Sequence, residues 1–144
     1  MSQSLIDAAK ASILAYNDKD WDAVSGVLAS DIEYDEVATG RTLNGPADVM
    51  AAWKGWATAI PDSTATFAAT HVSGNTVIFE LTWRGAHTGP LQTPAGTIPA
   101  TGKKIDIRAL QIVEVAPNGK TRLVRHYFDM ATMLAQLGIG AVGA

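Results

Sequence analysis

The sequence has 144 residues, of which 47% are hydrophobic and 17% are charged, and its formal net charge at pH 7 is −3. A chain of this length and composition is typical of one globular domain, which predicts a single domain over 1–144. The basic residues are few and scattered, so nucleic acid is not an expected partner. The apolar runs are short and interrupted, so we expect no membrane-spanning helix and no membrane partner.

Cysteine is absent, which excludes disulfides, thiolate metal sites and a cysteine nucleophile. The stretch from Met1 to Lys10 lacks the basic and then apolar layout of a secretion signal, so we expect a cytoplasmic protein. No histidine and carboxylate lie at a recognisable metal-binding spacing, and no glycine-rich phosphate loop is found. The pattern therefore predicts no metal and no other cofactor.

The first part of the chain has the apolar spacing of helices. Apolar residues recur every three or four positions from Leu5 to Tyr16 and from Trp21 to Leu28, which predicts a helical hairpin. A short extended segment, Ile32 to Ala38, follows. After the turn at Asn44-Gly45-Pro46, the helical spacing returns from Val49 to Ile60.

The second part has an apolar period of two, which predicts antiparallel strands joined by hairpins. The strands are Phe67 to Val72, Val77 to Gly85, Lys104 to Val115 and Thr121 to Asp129.

Two segments complete the chain. The proline- and glycine-rich stretch 88–102 predicts a long ordered loop. A last helix, Ala131 to Leu137, ends at Gly138, and we expect the tail 139–144 to fray or to pack across a neighbour.

Helices followed by strands predict an α+β fold in which N-terminal helices pack on one face of a strongly curved antiparallel sheet. Such a sheet leaves an apolar hollow between itself and the helices. That hollow is a natural site for a small molecule.

Strand parity singles out Gln111. Because alternate residues of a strand share a face, Gln111 shares its face with five apolar or small residues, namely Ile105, Ile107, Ala109, Val113 and Val115. A buried amide needs hydrogen-bond partners, which either the protein or a ligand can supply. Both interpretations stay open.

The same parity places His87 at the mouth of the hollow, on the face that carries Trp83. There it could transfer a proton or bind substrate. The alternative is a histidine at the rim that hydrogen-bonds the adjacent loop. His71 and His126 are single histidines in strands, which are more often core or surface residues than ligands.

Asp129 ends the last strand directly before a helix. From spacing alone it is favoured as the N-cap of that helix. It could instead face the hollow, where burial would raise its pKa towards that of a working acid/base.

Several segments carry a resemblance to a known family. They are Ala59-Ile60-Pro61-Asp62, the run from Arg84 to Gly89, Ala100-Thr101-Gly102-Lys103, Tyr127-Phe128-Asp129-Met130 and the run from Leu134 to Gly138. Together they resemble the SnoaL-like polyketide (ester) cyclases over about Leu5 to Gly138. The sequence departs from many of these proteins at Arg125-His126, where they have a tryptophan shortly before the aspartate, and in the loop from Leu91 to Pro99.

The resemblance implies the NTF2-like cone fold and a ring-closing intramolecular aldol reaction without a cofactor. It implies that Asp129 is the catalytic acid/base and that Gln111 and His87 hydrogen-bond the carbonyl or enolate oxygens of a small apolar carbonyl compound. The resemblance and the predicted hollow together give the residues that we expect to bind substrate: Gln111, His87, Trp83, Tyr34 and Trp53.

Two other functions remain open. The fold also hosts epoxide hydrolases, and Asp106 and Arg108 resemble part of their catalytic set, although strand parity places both opposite Gln111. A binding module without turnover would use the same pocket. The face that carries Arg108, Leu110 and Ile112 is mixed and partly apolar, so we expect a homodimer formed through the sheet.

Overall fold

The computed structural model describes residues 2–93 and 95–139. Helix α1 (Ser2–Asn17) and helix α2 (Trp21–Val27) form the predicted hairpin. Asp20 caps α2 by accepting a hydrogen bond from the backbone N–H of Ala23 at 3.1 Å. Helix α2 is shorter than its apolar pattern suggested because Leu28 already belongs to the first strand.

Strand β1 (Leu28–Glu36) and strand β2 (Arg41–Asn44) are joined by the short 3-10 helix Val37–Thr39. Helix α3 (Pro46–Ala59) follows, with a proline in its first turn, where a missing N–H costs no hydrogen bond. Strand β2 has only four residues, which is too short for an alternation of apolar and polar side chains to be recognised in the sequence.

The four long strands of the second half are β3 (Thr64–Ser73), β4 (Thr76–Ala86), β7 (Lys104–Val115) and β8 (Thr121–Phe128). With β1 and β2 they form a six-stranded sheet of order β2-β1-β8-β7-β4-β3. The predicted hairpins β3–β4 and β7–β8 are confirmed. The sheet is mixed rather than wholly antiparallel, because β1 runs parallel to β8.

The segment 88–102 contains a small hairpin of its own, formed by β5 (Leu91–Thr93) and β6 (Gly96–Ile98). Helix α4 (Met130–Leu137) ends, as predicted, at Gly138 in the left-handed conformation. Of the tail 139–144, residues 140–144 lie outside the described residues.

The helices and the inner face of the sheet enclose the core, which confirms the predicted α+β architecture. Strand β7 alternates over its length between buried residues and exposed or half-buried ones, and its buried face is the one that strand parity indicated. In the described part of the chain, no helix is long and apolar enough to cross a membrane. The sheet thus has an inner face against the helices and an outer face away from them.

Candidate functional site

A cavity lies between the helices and the inner face of the sheet. Its empty space, counted with the open mouth, is about 650 Å³. Its walls are mainly aromatic and aliphatic, with a few polar groups. The lining residues that matter for chemistry are Ser12, Tyr16, Tyr34, Trp53, Ser63, Trp83, Gln111 and His126.

Gln111 faces this cavity from the middle of β7, as strand parity predicted. Its cross-strand neighbours are Phe79 on β4 and His126 on β8. Its side chain is buried, and its Oε1 has no hydrogen-bond partner among the described residues. The hydroxyl of Ser12, on helix α1, is also buried and unpartnered there. Unpaired buried polar groups cost free energy, so these two atoms are suited to a ligand.

His126 lies beside Gln111 and is held at both ring nitrogens. Trp83 Nε1–H donates to its Nε2 at 3.2 Å, and its Nδ1 lies 2.9 Å from the hydroxyl oxygen of Tyr34. Burial lowers the pKa of His126 from 6.5 to about 4, although the negative charge of Glu36 opposes this shift. At neutral pH the imidazole is therefore uncharged.

Glu36 lies at the end of the same hydrogen-bonded chain and is fully buried. Its Oε2 accepts from Tyr34 at 2.7 Å and from Trp56 Nε1 at 2.9 Å. Its Oε1 accepts from Thr39 at 2.6 Å and from Arg41 Nε at 2.7 Å. Burial by itself would raise the pKa of Glu36, but these donors outweigh burial and the pKa lies below its usual value. The carboxyl group is therefore ionised.

Tyr34 connects the carboxylate to the imidazole and also packs against Trp53, with ring centroids 5.5 Å apart in an edge-on arrangement. Burial and the adjacent Glu36 raise the pKa of Tyr34 well above its usual value, so its hydroxyl keeps its proton. The structure thus brings four of the expected substrate-binding residues, Gln111, Trp83, Tyr34 and Trp53, to one cavity.

A second polar group lies where α1 ends. The Tyr16 hydroxyl is 2.6 Å from Ser63 Oγ, and Lys19 Nζ donates to the Ser63 carbonyl at 2.6 Å. Burial raises the pKa of Tyr16 to about 12, and the hydrogen bond with Ser63 only partly opposes this. Tyr16 is therefore a neutral hydrogen-bonding group in the cavity wall. Its place in the apolar spacing of α1 was the only indication of burial.

Asp129 does not face the cavity. Its exposed carboxylate accepts from the backbone N–H of Thr132 at 3.1 Å and from the Thr132 hydroxyl at 2.7 Å, which makes it the N-cap of α4. These hydrogen bonds lower its pKa. The N-cap that spacing alone favoured is therefore confirmed. The alternative, a carboxylate in the hollow with a raised pKa, is wrong, because the strand ends at Phe128 and the next residue caps the helix. The catalytic role of Asp129 stays a prediction. Asp129 is not among the residues that line the cavity.

His87 is buried, but it is not among the residues that line the cavity. Its Nδ1 accepts from the backbone N–H of Thr101 at 3.3 Å and lies 3.0 Å from the Thr101 hydroxyl. The expected position at the cavity mouth is wrong, because β4 ends at Ala86 and strand parity no longer applies. The structure shows the alternative, a histidine bound to the adjacent loop.

The two glycines on either side of His87 explain why this segment has its composition. A Cβ on Gly89 would collide with the Thr58 carbonyl oxygen, and one on Gly85 would lie 2.5 Å from Ile60 Cγ2. Only glycine lets the chain pass this close to the end of α3. The Gly-Ala-His-Thr-Gly segment therefore holds the loop against that helix.

Asp106 and Arg108 lie on the outer face of the sheet, as parity predicted. Asp106 accepts from Arg84 Nε at 3.1 Å, and both side chains of this pair are more than half exposed. Arg108 is exposed beside Tyr127 and Asp129 in a shallow outer groove. Among residues 2–93 and 95–139, no three histidine or acidic side chains are grouped as a metal site.

The architecture and its cavity define an α+β protein with the ketosteroid isomerase-like, NTF2-like cone fold. The family model of the SnoaL-like polyketide cyclases matches residues 6–137. The chain belongs to this family, which confirms the resemblance. A comparison with curated proteins finds no match.

Solved structures agree on the fold. A protein from Catenulispora acidiphila DSM 44928 with a ketosteroid isomerase-like fold, crystallised with trimethylamine, shares 17% identity over 96% of this chain and 97% of its own, with a TM-score of 0.78. IdmH from Streptomyces antibioticus, a candidate polyketide cyclase, shares 23% identity over 94% and 99%, with a TM-score of 0.77. An LEH-like epoxide hydrolase from M. tuberculosis shares 20% over 94% and 90%, with a TM-score of 0.72.

Proposed function

We propose that this protein is a cofactor-independent enzyme of the cyclase type that moves a proton on a small apolar carbonyl compound bound in the cavity. One observation carries the proposal. An uncharged imidazole, His126, and an amide with an unpartnered oxygen, Gln111, lie side by side in an apolar cavity. We assign the acid/base role to His126 in place of Asp129.

His126 has the properties that proton abstraction requires. With a pKa of about 4, it is free of the extra proton at neutral pH and is about as basic as an ordinary carboxylate. A carbon-bound proton flanked by two carbonyls is acidic enough for such a base. The enolate that forms would stabilise the imidazolium, and so would the charge of Glu36.

These groups can account for each proton and electron pair that moves during ring closure. His126 Nε2 takes the carbon-bound proton, with release of its hydrogen bond from Trp83, and the carbon–hydrogen electron pair becomes the enolate. The enolate carbon then forms a carbon–carbon bond with a second carbonyl carbon. The electron pair of that carbonyl moves to its oxygen, which takes the proton back from the imidazolium.

The neighbouring groups bind the substrate. The Gln111 amide can donate to the carbonyl or enolate oxygen, and it can also accept from a hydroxyl. Trp53 and Trp83 offer flat apolar walls to an unsaturated compound. The hydrolase alternative has less support here, because Asp106 and Arg108 both lie on the outer face.

The experiment follows hydrogen–deuterium exchange at C1 of 2-tetralone in D2O by proton NMR. This small ketone needs no second carbonyl, so exchange reports proton abstraction alone. We expect the wild type to accelerate exchange and His126→Asn to lower the rate by roughly 10²- to 10⁴-fold. His71→Asn is the matched control, since His71 is exposed and pairs with Glu80 far from the cavity lining.

Asp129→Asn separates the two assignments of the acid/base. Asparagine also caps helices well, so this variant removes the charge and keeps the fold. We expect exchange to continue in Asp129→Asn. Loss of exchange there, with retention in His126→Asn, would restore Asp129 as the catalytic residue. Binding of 2-tetralone without exchange in the wild type would favour a non-catalytic binding module.

A further inference from the structure

The hydrogen bonds around His126 determine where its single proton lies. An indole N–H can only donate, so Nε2 of His126 must accept from Trp83. A neutral imidazole carries one proton, which therefore lies on Nδ1 and is donated to the Tyr34 oxygen. Tyr34 in turn donates its own proton to Glu36 Oε2. All donors thus point the same way along the chain, towards the carboxylate.

Glu36 sets the direction of these hydrogen bonds because an ionised carboxylate can accept hydrogen bonds but cannot donate them. Both of its oxygens face donors, and two of these, Arg41 Nε and Trp56 Nε1, have no acceptor capacity. A neutral amide in place of the carboxylate would have to turn its NH₂ group towards one pair of donors. Since Arg41 is a cation, the amide oxygen would stay with Arg41 and the NH₂ group would face Tyr34 and Trp56.

The consequence would pass to His126. Tyr34 would then accept from the amide and direct its own hydroxyl proton at Nδ1, which must be bare to receive it. The ring proton would move to Nε2, where it would meet the N–H of Trp83. Neither tautomer of the ring would then satisfy all its neighbours.

We infer that Glu36 is a positioning residue that acts through Tyr34 to hold His126 as the Nδ1–H tautomer, with the basic lone pair on Nε2 at the Trp83 side of the ring. This inference rests on the proposed function, because it matters for catalysis only if Nε2 is the base. Glu36 itself is not among the residues that line the cavity.

The test is two-bond proton–nitrogen NMR of protein labelled with ¹⁵N-histidine at pH 7. His126→Asn assigns the signals of His126 among the three histidines of the chain. In the wild type we expect a protonated Nδ1 and a bare Nε2. In Glu36→Gln we expect a mixture, with the Nε2-protonated fraction rising from under about a tenth to about half.

Asp35→Asn is the matched control. Asp35 precedes Glu36 on the same strand and pairs with Arg125 at 3.0 Å, outside the chain that leads to His126. We expect the wild-type tautomer in this variant. A folded Glu36→Gln protein whose His126 stays fully Nδ1-protonated would overturn the inference. An Nε2-protonated His126 in the wild type would also overturn the inference, and that measurement does not depend on whether a variant folds.

The 2-tetralone assay completes the test. We expect Glu36→Gln to lower the maximal exchange rate at least about 10-fold with little change in KM, and Asp35→Asn to leave both unchanged. An unchanged maximal rate in a Glu36→Gln protein of mixed tautomer would also overturn the inference. Absence of exchange in the wild type would contradict the proposed function alone, since the tautomers are measured in the resting protein.

Discussion

Replacement of His126 by asparagine should remove an acid sensitivity that the buried imidazole gives the fold. The pKa of His126 is about 4 in the folded protein, against 6.5 for an ordinary histidine. The unfolded chain therefore binds the proton more readily, and stability is lost as the pH falls from about 6.5 towards 4. Above that window the imidazole is neutral in both states and contributes no pH dependence.

The magnitude follows from the size of the shift. Once the pH is below both pKa values, this lowering of the His126 pKa corresponds to a loss of about 3 kcal/mol in the free energy of unfolding. Between pH 7.5 and pH 4.5 the loss is about 2.5 kcal/mol. Asparagine is chosen because its amide nitrogen can replace Nδ1 as a donor to Tyr34 without titrating. Carboxylates that are not connected to His126 titrate in both proteins and cancel in the comparison.

The assay is urea unfolding of the wild type and of His126→Asn at several pH values from 7.5 to 4.5. We expect the wild type to lose about 2.5 kcal/mol more than the variant over this range, even though the variant is less stable at pH 7.5. His71→Asn serves as the control and should behave as the wild type. Parallel stability curves for the wild type and His126→Asn would refute a strongly lowered pKa for His126.

Four further predictions concern other parts of the molecule. Asp129→Ala should lower the free energy of unfolding through loss of the α4 cap, whereas Asp129→Asn should stay near the wild type; urea unfolding distinguishes them. Gln111→Leu should stabilise the fold by about 1 kcal/mol, because it removes an unpaired buried amide, while calorimetry should show weaker binding of 2-tetralone. Gly89→Ala should cost more than about 2 kcal/mol in thermal unfolding, since its Cβ would meet the Thr58 carbonyl. We also predict a homodimer formed through the outer face of the sheet; a monomeric mass in light scattering at micromolar concentration would contradict it.

Local pattern was sufficient for much of the fold and for one wall of the site. The period of two along β7 predicted that Gln111 faces inward, because side chains of a strand alternate strictly between its faces. The same alternation puts Val124, His126 and Phe128 on one face of β8. We did not use that spacing to place His126, although its two apolar neighbours on the same face are a signal of burial.

The partners of His126 could not be read from the sequence in the same way. Tyr34 and Glu36 reach it only because β1 pairs in parallel with β8, with Tyr34 opposite Val124. No local spacing encodes a pairing between segments so far apart in the chain. The ionised carboxylate behind the imidazole is therefore a result of tertiary structure.

His87 shows where strand parity stops being useful, and Asp129 shows where the family resemblance outweighed a correct prediction from spacing. Both lie just beyond the last residue of a strand, at Ala86 and Phe128 respectively. Past that point, local hydrogen bonds with Thr101 and Thr132 decide where each side chain points. For His87, an uncertainty of one or two residues in a strand end was enough to reverse the assignment. For Asp129, spacing alone already favoured the helix cap, and only the resemblance implied a catalytic carboxylate.

The most direct test of His126 as the acid/base is an NMR titration of ¹⁵N-histidine-labelled protein with 2-naphthol, a planar phenol that resembles the enol of 2-tetralone. We predict that bound 2-naphthol shifts the Nε2 signal of His126 and leaves that of the exposed His71 unchanged. Saturable binding that leaves the His126 signals in place would contradict a role of His126 as the base, because the ring carbon that corresponds to C1 of 2-tetralone would then lie away from the imidazole.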